Sequence, residues 1–202
     1  MRRTVIDVTT ATMTLADPVA GSGPWLVLVV GLSAHVAAGL VLLAGVAKIL
    51  RPSATSDALD LSHLPAATGL VQALGTAEIM LAAAVVTIGG PVAFGLLAVA
   101  YAAFFLVAVR QRTVDRSCGC FGAASTTVGP LHLVTNGVAA LVAAVAAVLA
   151  VPSLPALLPD QVLPAMTAVL LLITAVGIGQ MLLTSLPDLL RARALTAAGG
   201  RR

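Results

Sequence analysis

The chain has 202 residues, of which 59% are hydrophobic and 9% charged, with a formal net charge of +3. Soluble domains carry about 25% charged residues, so this composition cannot cover a soluble surface. It also excludes a nucleic-acid-binding protein: the basic residues lie at the ends of apolar runs, and no basic patch is interleaved with the six aromatic residues.

The N-terminal stretch 1–23, "MRRTVIDVTTATMTLADPVAGSG", has two arginines but no apolar core before position 24. It reads as a polar tail and not as a cleavable signal peptide. The first apolar run covers 25–47 and contains no formal charge. It closes on "AKILRP", where Pro52 cannot continue a helix. A polar loop, "SATSDALDLSHLP", follows. The further apolar runs cover 69–89, 91–109, 130–151 and 164–186, and among them only Glu78 is charged. Each run is about the 20 residues that cross a hydrocarbon core as a helix. Long apolar runs without alternation mean helices rather than a barrel, because lipid offers backbone groups no partner. The expected fold is an all-α integral membrane protein with four core transmembrane helices (24–151) and a fifth at 164–187.

Gly89, Gly90 and Pro91 predict a tight turn that makes the second and third spans an antiparallel hairpin. Pro130 suits the first turn of the fourth span. A proline-rich connector at 152–163 precedes the fifth span, and a basic tail, 188–202, closes the chain. With five spans the termini lie on opposite sides. On side A, with the N-terminal tail, fall Arg2 and Arg3. On side B fall Lys48, Arg51, Arg110, Arg112, Arg116, Arg191, Arg193, Arg201 and Arg202. The positive-inside rule then makes side B cytoplasmic.

The chain's two cysteines, Cys118 and Cys120, share the polar loop 110–129 between the third and fourth spans, in "RQRTVDRSCGCFGAAS". Arg110, Arg112 and Arg116 bring positive charge near them, which favours thiolate, the form that attacks disulfides and binds soft metals. Residues two apart are at most about 7 Å apart, within reach of a disulfide's Cα separation of about 4.4–6.8 Å. The resulting small ring would be strained, easily reduced and suited to exchange with a partner. Three readings stand. The pair carries out thiol–disulfide exchange, or binds a soft metal with His132 or a partner's ligand, or has no chemistry. A zinc site needs about four ligands, of which the loop supplies two.

Inside the membrane, Glu78 in "LGTAEIML" is costly and therefore a functional candidate. Its expected partner is Lys48, reaching inward from the end of the first span; the alternatives are snorkelling of Lys48 to the interface and a neutral Glu78. His35, Tyr101, Asn136 and Gln180 can supply hydrogen bonds between helices, His35 most simply as a structural group.

Four stretches in order, "AGVAKILRP", "GTAEIMLAAAVV", "RSCGCFG" and "HLVTNGVAALVA", resemble the methylamine utilisation protein MauE family, relatives of the DoxX-like membrane proteins. The resemblance covers 24–151, and its most specific part is the "CGCFG" loop, with Lys48, Glu78 and Asn136 at matching places. It implies a bacterial inner-membrane protein that assists maturation of the methylamine dehydrogenase small subunit, a disulfide-rich exported protein. It also implies a thioredoxin-like partner. Cys118 and Cys120 would then be the redox pair and Glu78 with Lys48 the supporting intramembrane pair. Exported substrates call for thiols on the outer side, whereas the charge count puts the loop inside. Either the charge rule fails here, or the loop draws electrons from cytoplasmic thioredoxin and they cross by movement of the loop into the bundle or through a quinone, the candidate cofactor, for which the sequence shows no clear site. A non-catalytic assembly factor and a soft-metal-handling protein are the rival functions.

Overall fold

The structure, a computed structural model, describes residues 23–61, 63–113 and 129–199. It contains α1 (Pro24–Leu50), α2 (Pro52–Ala58), α3 (Ala67–Thr87), α4 (Gly90–Thr113), α5 (Pro130–Val148), α6 (Leu154–Leu157) and α7 (Val162–Gly199). No strand occurs among the described residues. Helices α1, α3, α4 and α5 and the Val162–Ser185 part of α7 are long and apolar enough to cross a membrane. At 27 residues α1 is about 40 Å long, more than the hydrocarbon core requires of an upright helix.

Prolines punctuate the chain at helix starts. Pro24, Pro52 and Pro130 each sit in a first turn, where the missing N–H is one the helix could not have used. Pro52 was expected only to stop the first span. It ends α1 and also opens α2, so the stretch that reads as a polar loop begins with two helical turns. At its far end α2 is tied to α4: buried Gln111 donates from Nε2 to the carbonyl of Ala58. The ends of α1 and α4 therefore share one face, side B.

The opposite face is closed by the glycine turn. Gly89 and Gly90 have φ values of 66° and 77°, a region costly to residues with a Cβ. The Gly90 N–H donates to the Val151 carbonyl at 2.8 Å, and Gly89 pairs with Pro152 in an isolated bridge. The α3–α4 turn and the start of the proline-rich connector thus lie together on side A, as a five-span path requires.

Helix α1 packs chiefly on α3, and α4 on α5. The α1–α3 and α4–α5 pairs meet in a core where small residues of α1 and α5 (Ala34, Ala38, Ala139, Ala143) let the backbones approach. Phe94 and Leu97 of α4, both fully buried, fill the space between them. Helix α7 packs mainly on α1, through Val176 and Leu183 against Leu40. Its helical run continues through Pro187 to Gly199, beyond the end expected at 187.

Candidate functional site

Near side B, α1 and α3 come close enough to exclude any side chain from the contact. A Cβ built on Gly45 would lie 2.6 Å from the Gly75 carbonyl oxygen, and one on Gly75 2.7 Å from the Gly45 carbonyl oxygen. One turn beyond each glycine stands an ionisable residue, in "GVAK" and "GTAE". The helices run antiparallel, and every Cα–Cβ bond tilts toward its own helix's N-terminus. Lys48 therefore leans toward side A and Glu78 toward side B, so the two side chains lean toward each other across the glycine contact.

They meet there. Lys48 Nζ donates to Glu78 Oε2 at 2.8 Å, with the side chains 3% and 4% exposed. The ammonium also lies 5.5 Å from the centroid of the Phe104 ring, within cation–π range. Glu78 Oε1 has no hydrogen-bond partner among the described residues. Next to the pair, buried Tyr101 donates its hydroxyl to the Ala37 carbonyl at 2.8 Å and packs edge-to-face on Phe104.

A cavity of about 30 Å³ adjoins Lys48. Its polar lining comes from Lys48 (α1), Tyr101 (α4) and His132, Thr135 and Asn136 (α5), and its apolar lining includes Leu40, Ala44 and Leu183 of α7. His132 is buried, and its Nδ1 has no partner among the described residues. Asn136 thus lines the same cavity as Lys48. His35 lies apart from this group: its Nδ1 donates to the Gly31 carbonyl at 2.7 Å, and its ring meets Phe94 edge-to-face. Its Nε2 has no partner among the described residues.

Cys118, Cys120 and Arg116 lie outside the described residues. Arg110 and Arg112, on the last turn of α4, are exposed. Among the described residues no three His, Cys, Asp or Glu side chains gather as metal ligands.

Sequence reasoning passed over Gly45, Gly75, Phe104 and Gln111. The glycines had a readable signal, since each stands three residues before a charge inside an apolar run. Phe104 and Gln111 had none, because nothing in the sequence distinguishes them from other residues of α4.

The family model described as methylamine utilisation protein MauE matches residues 24–150, well over half of the chain. No curated protein and no solved structure matches.

Proposed function

The chain belongs to the methylamine utilisation protein MauE family and is a multi-pass membrane protein, and from that premise we propose that it handles disulfides for the maturation of an exported redox protein. Cys118 and Cys120 form the exchanging pair. In the reducing direction one thiolate attacks a disulfide of the partner and expels one of its sulfurs as thiolate. The second cysteine then attacks the mixed disulfide, leaving a Cys118–Cys120 disulfide and a partner dithiol. Two electrons and two protons pass to the partner; the oxidising direction is the reverse. A thioredoxin-like protein restores the starting state, and the protein resides in a bacterial inner membrane.

The observation that carries this reading is the position of both cysteines, two residues apart, between Thr113 of α4 and Gly129 at the start of α5. The face on which α4 ends is the one toward which the Lys48–Glu78 pair and its cavity lie. Lys48 and Glu78 act as a supporting pair: they lock α1 onto α3 beneath that face, and Gln111 holds the end of α4 to α2.

Trapping tests the proposal. Of the variants Cys118→Ser and Cys120→Ser, the one that keeps the attacking thiol should accumulate a mixed disulfide with its partner, released by reductant. The double variant should form none and should lose maturation activity. Full activity in the double variant would leave a non-catalytic assembly factor.

A further inference from the structure

We propose that the cavity between α1, α4, α5 and α7 is a hydrated site, in which one or two ordered water molecules bridge Lys48, His132 and Asn136. These waters extend the polar surroundings of the Lys48–Glu78 pair toward side B. The inference is independent of the cysteines' chemistry.

Size selects the ligand. A water needs about 10–15 Å³ of such space, and the cavity offers about 30 Å³, too little for an organic ring. Polarity then decides between wet and dry. Apolar cavities of this kind stay empty, whereas a buried water needs two to four polar partners. Here Lys48 has N–H groups beyond the one given to Glu78, and Asn136 and Thr135 can each donate and accept. An independent sign comes from His132, 4% exposed and lining the cavity, whose Nδ1 has no partner among the described residues. A buried polar atom of this kind is ordinarily satisfied by protein or by ordered water.

Position gives the site its use. His132 is the third residue of α5 and Asn136 stands about one turn further in, while Lys48 is two residues from the end of α1. The cavity therefore spans the first turns below side B. Leu40 of α1 and Leu183 of α7 line its apolar side. A chain of polar groups thus runs inward from His132 through water to Lys48 and Glu78.

Hydroxyl-radical footprinting by X-ray radiolysis, on the full-length protein in lipid nanodiscs, reads bound water directly, because radicals form where water sits. His132 and His35 are both buried, at 4% and 1% exposure, and each has one ring nitrogen without a partner among the described residues, but His132 lines this polar cavity whereas His35 lines an apolar groove between α1, α3 and α7. We expect His132 to be oxidised several-fold faster than His35. Ala44→Leu, which fills the cavity, should lower the His132 rate to that of His35; Asn136→Leu serves the same end should Ala44→Leu not fold. Equal rates for the two histidines in the unmodified protein would overturn the proposal. So would a fast His132 rate that survives filling, since that water would come from the bulk at the membrane face.

Discussion

Lys48 Nζ and Glu78 Oε2 stand 2.8 Å apart in side chains at most 4% exposed, joining the last turn of α1 to the middle of α3. Buried pairs of this kind respond asymmetrically to substitution. Removing one partner leaves an uncompensated charge and costs about 3–5 kcal/mol, whereas replacing both by apolar residues is often tolerated. Lys48→Met and Glu78→Leu should each lower the unfolding midpoint in mild detergent sharply. The double variant should recover most of the loss. If the double variant is as unstable as the two losses added together, the charges are not acting on each other.

The glycine contact sets the distance over which that pair forms. Gly45→Ala or Gly75→Ala places a methyl group against the facing carbonyl oxygen, which forces α1 and α3 apart. Overpacking of this kind costs about 1–3 kcal/mol. Gly69→Ala, in the same helix as Gly75 but with open space at the Cβ position, should be neutral or slightly stabilising. Thermal unfolding of the three variants checks this, and equal behaviour of all three would mean that α1 and α3 do not touch at Gly45 and Gly75.

The spans could be read from the sequence because lipid admits few solutions: about 20 apolar residues bounded by Pro52, Gly89–Gly90 and Pro130 can only be helices ending there. The nearness of Lys48 to Glu78 could be anticipated for a similar reason, since Glu78 in an apolar run demands a partner and successive spans place the end of α1 beside the start of α3. What could not be read was contact that depends on helix rotation. Phe104 faces Lys48, whereas the adjacent Phe105 reaches toward Gly137, and nothing in "AAFFLV" distinguishes the two. Gln111 likewise needs the position of Ala58, fixed by α2, which the sequence presented only as a polar stretch after a proline.

The glycine turn offers a graded test of the side A closure. Gly90→Ala adds only the strain of positive φ, about 1–2 kcal/mol, because the space around its Cβ position is open. Gly89→Ala adds the same strain and also drives the methyl into the backbone of Pro152 and Ser153. It should therefore be the more damaging, and should loosen the connector as well as the turn. Limited proteolysis within 152–161 reads this second effect: cleavage should rise in Gly89→Ala more than in Gly90→Ala. Equal cleavage in both would mean that the connector does not rest on Gly89.

Sidedness is the remaining lever on the proposed chemistry, and it separates two electron paths. Lys48, Arg51, Arg110, Arg112 and Arg116 flank the ends of α1 and α4, and positive charge is retained on the cytoplasmic side. Cys118 and Cys120 should accordingly escape a membrane-impermeant maleimide in intact cells, with or without mild reduction, and react once the cells are opened. That outcome makes cytoplasmic reductant the source of electrons and requires a carrier to take them outward to an exported partner. Labelling of intact cells after reduction alone would instead place an oxidised pair on the outer face. The charge rule would then fail for this chain, and the pair would meet its exported partner directly, with no carrier needed.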